Sequence, residues 1–382
     1  MMQEKLEIRQ VCSRHLRKQF IDLPYMIYRD DPNWVAPLRS DQAKVFAQKT
    51  PFYQEAEHAL FIAMRAGMPV GRIMAIQNKR HNHHHNDQVG FFGFFECIDN
   101  PDVALELVRS AEAWLAEKGL TSIRGPVNPS MNDECGCLIE GFNRPPVALT
   151  TYNPPYYPSL LESVGFSKAK DMFAYLVTRD DVAPGTETYK RIMRMSALLK
   201  RRHPEVRIRT INMAQLRTDI LSFVHLFEEA RQDNNNWGHV PVIQEEILML
   251  AKQFKPIADP EIMLVAEVNG VPVGVSLATP DINQAFKAIN GRLFPFGFLR
   301  LRRALKRITG IRVFALAALD QYRHLGITAR LLGETVVRGW ERGYQYCDVS
   351  WILEDNTMSR RTAEKTFNSK KYKTFRLYEK EI

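Results

Sequence analysis

The sequence predicts an α/β (α+β) protein of two similar units in tandem, each with a central mixed, mostly antiparallel sheet flanked by helices. An apolar run, a tight turn and a second apolar run that opens with Pro-Val-Gly occur twice, over residues 59–76 and 262–277. Similar elements follow both hairpins in the same order, which indicates an internal repeat. The length of 382 residues suits two domains of roughly 150 residues or more.

The first unit is predicted to span residues 1–178 and to begin with a helix-rich stretch over 14–29. After the hairpin, Asn100-Pro101-Asp102 marks the start of a helix, because Asn is a favoured N-cap and Pro a favoured first helical residue. Gly119 is expected to end that helix. The elements predicted after the hairpin are a strand, a helix and a strand, over 89–98, 103–118 and 120–126.

The second unit is predicted to span residues 186–382, after a junction near 178–185. A helix over 216–232 precedes its hairpin, whose turn contains Asn269-Gly270, a strong hairpin signal. The elements predicted after this hairpin are a strand, a helix and a strand, over 312–319, 329–342 and 346–353.

Composition and charge restrict the function classes. The chain has 52 Lys and Arg against 43 Asp and Glu, a net charge of +9, which favours nucleic acid, an anionic membrane surface or a phosphate-bearing ligand. Nothing resembles a membrane-spanning run or a secretory signal. The five cysteines are too few and too scattered for a disulfide framework. We therefore expect a cytoplasmic protein.

The segment from the predicted strand into the 329–342 helix carries the clearest chemical signal. A strand ends, a short loop with one glycine follows, and a helix begins at once. Such a loop directs backbone N–H groups and the positive helix end at one point, which suits a phosphate or pyrophosphate. Arg323 and Arg330 are expected to add positive charge near this point. An ordinary strand-to-helix connection is the alternative. The residues predicted to bind this ligand are Arg323, His324, Leu325, Gly326, Ile327, Thr328 and Ala329.

Arg323-x-x-Gly326-x-Thr328 resembles the pyrophosphate loop of GNAT-fold acyltransferases, whose pattern is Gln/Arg-x-x-Gly-x-Gly/Ala. The resemblance implies that this loop binds the diphosphate of acyl-CoA and that a backbone N–H near Ala318 and Leu319 stabilises the oxyanion. It also adds Asn356, at the start of the closing helix, to the cofactor-binding residues. Phe367 stands where the family often has a tyrosine that protonates the CoA thiolate.

A second resemblance covers most of the chain. Several motifs together look like the tandem-GNAT bacterial family that includes bacterial ceramide synthases, which transfer a fatty acyl group from acyl-CoA to a sphingoid-base amine. The resemblance implies an acyl-CoA N-acyltransferase of lipid metabolism. An acetyltransferase for a small amine and a catalytically silent CoA-binding regulatory protein remain alternatives. The motifs are residues 31–38, 50–53, 90–96, 125–130, 132–136 and 152–157.

The first unit lacks a phosphate loop. Asp99-Asn100-Pro101-Asp102 stands in its place, and two aspartates would repel a diphosphate. We therefore expect this unit to support the amine acceptor. Its polar insert over 128–157 suits an amino-alcohol head group, although such a segment can also be a well-ordered surface loop. The predicted substrate-binding residues are Asn132, Tyr152, Asn153 and Tyr156, with Trp237 from the second unit.

Amine acylation needs a base whose pKa lies near the working pH. Glu96, in an aromatic strand, is a candidate because burial raises the pKa of a carboxyl group. A structural pairing with an arginine or a backbone amide is its alternative. Asp133 and Glu134 in the insert are further candidates, as is His239 in the loop after the 216–232 helix.

Three other segments invite functional interpretations. Residues 296–308 form a candidate basic amphipathic helix, which suits peripheral contact with an anionic membrane or packing on its own sheet. Nucleic-acid binding has no recognisable module to support it. His81-Asn82-His83-His84-His85 is expected to be a solvated loop, and Cys135 and Cys137 two buried thiols. We expect no bound metal.

Overall fold

The computed structural model describes residues 5–232 and 237–382. The first half of the chain alternates strands with mostly short helices. Its strands are β1 (Leu6–Gln10), β2 (Ala56–Arg65), β3 (Met68–Asn78), β4 (Val89–Cys97), β5 (Ser122–Gly125), β6 (Val127–Asn128), β7 (Glu134–Cys135), β8 (Cys137–Glu140) and β9 (Ser167–Thr178). Its helices are α1 (Arg14–Asp22), α2 (Pro24–Ile27), α3 (Arg39–Val45), α4 (Lys79–His85), α5 (Pro101–Ala116) and α6 (Tyr157–Ser163).

The second half repeats the same succession of elements. Its strands are β10 (Val206–Thr210), β11 (Leu264–Val268), β12 (Val271–Pro280), β13 (Gly310–Ala318), β14 (Tyr346–Leu353) and β15 (Lys370–Glu381). Its helices are α7 (Glu187–Arg202), α8 (Leu216–Gln232), α9 (Gln244–Phe254), α10 (Asn283–Phe286), α11 (Gly297–Leu305), α12 (Ile327–Glu341) and α13 (Thr357–Arg361). The predicted fold class is confirmed. None of the helices in the described ranges is long and apolar enough to cross a membrane.

The repeated Pro-Val-Gly segments have a packing reason. A Cβ atom on Gly71 would lie 2.7 Å from Leu107 of α5, and one on Gly274 would lie 2.7 Å from Ile327 of α12. Real Cβ contacts are not that short, so each glycine lets a helix approach the second strand of its hairpin closely. Each half therefore needs a glycine at the point where its helix packs closest to the hairpin.

One sheet runs through both halves. Its strand order is β1-β2-β3-β4-β5-β15-β9-β14-β13-β12-β11-β10, with β8 also paired to β15. The last strand of the first half, β9, pairs with β14 of the second half. The last strand of the second half, β15, pairs with β5 of the first. Each half thus completes the sheet of the other.

A loop of the first half is also anchored in the second half. The buried Arg312 of β13 donates from Nη1 to the carbonyls of Ala148 at 2.8 Å and Leu149 at 2.6 Å. Asp281 accepts from the Ala148 N–H at 2.8 Å. The Nζ of Lys373 donates to the Arg144 carbonyl at 2.8 Å. Buried backbone groups of the 144–149 loop are therefore satisfied by the other half.

The predicted helix-rich stretch over 14–29 is two helices, α1 and α2, because Pro24 has no N–H for an α-helical bond and starts α2 instead. One local prediction was wrong. The histidine run is the helix α4 and not a solvated loop, since the Asn78 side chain caps it by accepting from the His81 N–H. His81 is only 1% exposed, and burial lowers the pKa of its imidazole to about 3.

The shared sheet predicts cooperative unfolding of the two halves. Phe375 of β15 is fully buried between β8 and β9. Phe375→Ala should therefore lower the free energy of unfolding by about 3–5 kcal/mol and keep a single transition. Urea denaturation followed by circular dichroism and by tryptophan fluorescence measures both properties. Met68→Ala, at a 59% exposed turn position, is the control. Two separate transitions in the wild-type protein would contradict a shared sheet.

Candidate active site

The second half contains an open gap between two parallel strands. β13 and β14 pair only from Gly310 with Tyr346 to Val313 with Val349, and then part. Residues 314–317 of β13, beyond that point, are all half-buried. Atoms of an extended ligand could therefore lie along this strand.

The corresponding gap in the first half is filled. β4 and β5 also part, after Phe91 pairs with Arg124, but residues 92–95 remain buried. The Val127 carbonyl presses against Gly93, and the Asn128 side chain accepts a hydrogen bond from the Phe94 N–H at 2.7 Å. This half therefore has no free strand edge at the matching place.

The turn that leads into α12 fits a phosphate group. A 3₁₀ turn over Asp320–Leu325 is followed by Gly326 in the left-handed region at φ +65°, and α12 has no side-chain N-cap. In the first half, by contrast, the Asn100 side chain accepts from the Val103 N–H at 3.1 Å at the start of α5. In the part of the chain that the structure describes, no side chain caps the first N–H groups of α12, which is what an anion at a helix N-terminus requires.

The other predicted cofactor-binding residues differ in availability. The Leu319 N–H already donates to the Val273 carbonyl at 3.0 Å, so it is not free to stabilise an oxyanion. Ala318 pairs with Gly274 in the sheet. Asn356 caps α13 by accepting from the Ser359 N–H. His324 is exposed, Leu325 and Ile327 are buried and Thr328 and Ala329 are half-buried; the side chain of Arg323 lies outside the described residues.

Arg330 does not add charge to this turn. Its side chain is buried, and Nη1 donates to the Val206 carbonyl at 3.2 Å. The expectation that both Arg323 and Arg330 stand near the ligand is therefore wrong for Arg330. Its guanidinium joins α12 to the start of β10 instead.

Loops from the two halves meet above the centre of the sheet. The Asn132 side chain donates to the Val240 carbonyl at 2.8 Å, and Met131 packs against Gly238. His239 in the same loop is buried, and its Nε2 lies 3.1 Å from Glu228 of α8. His239 therefore connects this loop to α8. The structure thus brings together the predicted residues Asn132, Asp133, Glu134, Trp237 and His239.

Asp133 and Glu134 have carboxyl groups with raised pKa values. Both side chains reach solvent but are surrounded by protein. Desolvation raises the pKa of Glu134 to about 7, although Arg312 opposes this, and Asp133 adds to it. Desolvation also raises the pKa of Asp133 to about 6, opposed by a hydrogen bond from Ser130. Glu134 therefore loses its proton near neutral pH.

Glu134 lies within electrostatic range of Arg312, at the start of the β13–β14 gap. Arg312, whose charge acts on it, pairs with Asp348 one residue before the strands part. Arg312 donates from Nε to the Ser350 hydroxyl at 3.0 Å and lies 3.6 Å from Asp348. The Tyr372 hydroxyl donates to Asp348 at 2.7 Å. Sequence analysis missed this buried group, although charged residues in two apolar strands were its signal.

Four predicted site residues belong to a different part of the first half. Glu96 accepts from the Tyr28 and Tyr157 hydroxyls, both at 2.8 Å, and lies 3.6 Å from Arg72. Burial raises the pKa of Glu96, as predicted. Its bonds to the two tyrosines and its closeness to Arg72 account for a carboxyl group at this position. Hydrogen bonds likewise account for Tyr152, Asn153 and Tyr156, which bond to Asp31, to the Leu138 backbone and to the Cys97 carbonyl. In this structure these four side chains form hydrogen bonds that hold loops together.

Phe367, Cys135 and Cys137 have structural environments. Phe367 is fully buried in an apolar cluster, which leaves no acid at its position. Cys135 and Cys137 are buried free thiols, as predicted. No cluster of three or more His, Cys, Asp or Glu side chains suited to a metal ion occurs among the described residues.

A cavity of about 260 Å³ lies elsewhere, on the surface of the first half. Asp22 in its wall already forms ion pairs with Lys18 and Arg39, both at 2.9 Å. It shares no lining residue with the loops around Glu134. The lining residues are Arg14, Arg17, Lys18, Ile21, Asp22 and Arg39.

The chain is similar to known bacterial proteins over nearly its whole length. It is 32% identical to Bacterial ceramide synthase of Caulobacter vibrioides, over 96% of this chain and 94% of that protein. The chain belongs to the tandem-GNAT family that includes this protein. It is also 32% identical to Protein YghO of Escherichia coli, over 98% of this chain and 95% of that one. A search against protein-family models found no match.

Solved structures of tandem-GNAT architecture support the fold. A tandem GNAT protein from the clavulanic acid biosynthesis pathway matches 99% of this chain and 98% of its own, with a TM-score of 0.58 at 10% identity. A GCN5-related N-acetyltransferase from Sphaerobacter thermophilus matches 98% and 95%, with a TM-score of 0.54 at 14% identity. At such identities the likeness concerns the fold alone.

The raised pKa of Glu134 predicts a pH-dependent stability. A carboxyl group whose pKa rises from 4.5 to about 7 on folding costs stability as pH increases through that interval. Glu134→Gln should therefore melt at a higher temperature than the wild-type protein at about pH 8, and at the same temperature near the unfolded-state pKa. Differential scanning fluorimetry at both pH values measures the difference.

Glu140→Gln is the matched control, and its expected change in melting temperature has the opposite sign. Lys371 and Thr374 donate hydrogen bonds to Glu140 and lower the pKa of its carboxyl. Its removal should lower the melting temperature at the higher pH. Equal melting temperatures for Glu134→Gln and the wild-type protein at both pH values would contradict the assigned environment of Glu134.

Proposed function

We propose that this protein is an acyl-CoA-dependent N-acyltransferase that transfers a fatty acyl group to the primary amine of a sphingoid-base-like lipid. The observation that carries the proposal is that Glu134, whose pKa is raised to about 7, lies within electrostatic range of Arg312 at the start of the open β13–β14 gap. A base of this pKa suits amine acylation at neutral pH. The proposed location is the cytoplasm, at the inner face of the membrane.

The donor, acyl-CoA, is assigned to the second half. The turn over 320–326 and the first N–H groups of α12 would hold its diphosphate. From Ala318 to Arg312 the strand β13 rises by roughly 20 Å, at about 3.3 Å per residue. An extended CoA arm along the half-buried residues 314–317 would bring its thioester towards Arg312 and Glu134.

The chemistry is a direct transfer. Glu134 accepts a proton from the ammonium group of the acceptor, and the neutral amine nitrogen attacks the thioester carbonyl carbon. The C–N bond forms, the C–S bond breaks, and the departing CoA thiolate takes up the second proton that the nitrogen loses, which gives an amide and free CoA. Glu134 releases its proton to solvent. A backbone N–H of β13 within the gap would stabilise the oxyanion. The first half supplies the base, and the second half binds the donor.

An apolar acceptor fits the surroundings of this gap. Half-buried aromatic and apolar side chains pack against the core cluster that contains Cys135, the residue after Glu134, which suits an alkyl chain more than a small polar amine. The Caulobacter vibrioides relative is named a ceramide synthase, which supports a fatty acyl group and a lipid amine. These side chains are Met131, Trp237, Trp351, Leu353 and Tyr372.

Replacing the base should abolish most of the activity. Glu134→Gln is expected to lower the rate of amide formation by about 10²–10⁴-fold, because its side-chain amide cannot accept the proton. The wild-type rate should rise with pH up to about 7, and this rise should be absent in the variant. Palmitoyl-CoA and sphinganine, with the amide quantified by mass spectrometry, provide the assay.

Glu140→Gln, on the neighbouring strand β8, should retain wild-type activity and is the control. Faster transfer from acetyl-CoA to a short-chain amine than from palmitoyl-CoA to sphinganine would contradict the lipid assignment. Amide formation that is unaffected by Glu134→Gln would contradict the assignment of the base.

Substitution of Gly326 should abolish CoA binding. At φ +65° a side chain strains the backbone by about 1 kcal/mol, and a Cβ would lie 3.2 Å from Leu199 of α7. Gly326→Ala is therefore expected to remove the rise in melting temperature that CoA produces. Gly343→Ala, at φ +93° with open space around its Cβ position, strains the other end of the same helix. It should keep the CoA-dependent shift, and an equal loss in both variants would contradict a specific role for the turn.

A further inference from the structure

A basic and aromatic segment projects from the second half between β12 and β13. No Asp or Glu occurs between Asp281 and Asp320. Six cationic side chains of residues 292–307 are exposed, and none of the six forms an ion pair with another described residue. We call residues 292–307 the basic-aromatic tip. Its exposed cations are Arg292, Arg300, Arg302, Arg303, Lys306 and Arg307.

Large apolar side chains of the tip face solvent. Phe294 is 83% exposed, Phe296 67%, Phe298 50% and Leu299 53%. Exposed large apolar side chains occur singly on most protein surfaces, whereas four within six residues form a patch that indicates an interaction site. α11 itself is seated on the protein, because Leu301, Ala304 and Leu305 are half-buried. Phe298, one turn before Leu301, lies outside this half-buried face.

The base of the tip is fixed to the first half. The Arg39 N–H donates to the Gly291 carbonyl at 3.4 Å, and Gly291 packs closely against Pro37 and Tyr25. The Asn283 side chain donates to the Pro146 carbonyl at 3.1 Å. The exposed rings are thus presented by an anchored support.

The position of the tip relates it to the gap. β13 begins at Gly310, just after the tip, and ends at Ala318, just before the phosphate turn. Arg312 and the Glu134 beside it therefore lie towards the tip end of this strand. A ligand that arrived from the tip side would reach Glu134 from the end opposite the diphosphate.

We propose that the basic-aromatic tip is a membrane-docking surface that inserts its phenylalanine rings into an anionic lipid bilayer. Apolar rings enter the boundary of the acyl chains while flanking Lys and Arg side chains contact anionic head groups. The segment itself contains no acidic residue that would neutralise these cations. Their arrangement around projecting rings, on a support without a recognisable nucleic-acid module, favours lipid over nucleic acid. Membrane docking would also bring a lipid acceptor towards the gap. Only this delivery role rests on the proposed function; the docking itself does not.

Co-sedimentation of the full-length protein with lipid vesicles tests the surface without acyl-CoA or acceptor. We expect binding to vesicles with roughly one third phosphatidylglycerol and at least tenfold weaker binding to pure phosphatidylcholine, because each cation near an anionic surface contributes about fivefold. The triple variant Phe294→Ser, Phe296→Ser, Phe298→Ser should lose at least tenfold in binding. So should Arg300→Gln, Arg303→Gln, Arg307→Gln.

Two matched controls separate the tip from general properties of the chain. Met68→Ser with Val271→Ser removes two side chains that are each 59% exposed at hairpin turns. Lys200→Gln, Arg201→Gln, Arg202→Gln removes three exposed cations at the end of α7. Both variants should bind vesicles like the wild-type protein.

Three results would overturn the proposal: vesicle binding that is equal with and without anionic lipid, retained binding by the phenylalanine variant, or tighter binding to a single-stranded oligonucleotide than to anionic vesicles. Amide formation with detergent-dispersed substrates is measured separately on the same variants and should be unchanged. Failure of docking and failure of the proposed enzymatic activity are thereby distinguishable.

Discussion

The antiparallel pairing of β9 with β15 is the constraint on which the rest of the structure depends. These strands are the last elements of the two halves, and they pair along most of their length at the centre of the sheet. Through them, each half supplies the strand that the other half lacks. The insert that carries Glu134 precedes β9, so the strand exchange holds it over the second half, where Arg312 also fixes the 144–149 loop.

The two halves have the same succession of elements but different surfaces at the strand gap. In the first half the Asn128 side chain accepts a hydrogen bond from the Phe94 N–H, and the Asn100 side chain caps α5. Only residues 98–100 connect β4 to α5. In the second half residues 319–326 connect them and the helix start is uncapped by a side chain. One unit has thereby become a closed support, and the other keeps an open strand edge. This difference is why we assign the acyl-CoA site to the second half and the general base to the first half.

Much of the fold could be predicted because its signals are local. Hairpin turns, helix caps and the repeated glycine beneath each helix are properties of short segments. The exchange of β9 and β15 could not be predicted, since backbone pairing between distant strands leaves no local pattern. For the same reason, sequence alone left Glu96, Asp133, Glu134 and His239 as equal candidates for the base. Their partners in space, two tyrosines for Glu96 and Glu228 for His239, separate them.

Isothermal titration calorimetry with CoA tests the central claim, that one half binds the donor while the other does not. The account predicts one CoA per chain, with binding lost in Gly326→Ala and retained in Gly343→Ala. Binding of two CoA molecules per chain would contradict it, because the first half would then hold a donor despite its filled gap. Binding that survives Gly326→Ala would also contradict it, since the donor would then lie away from the turn before α12.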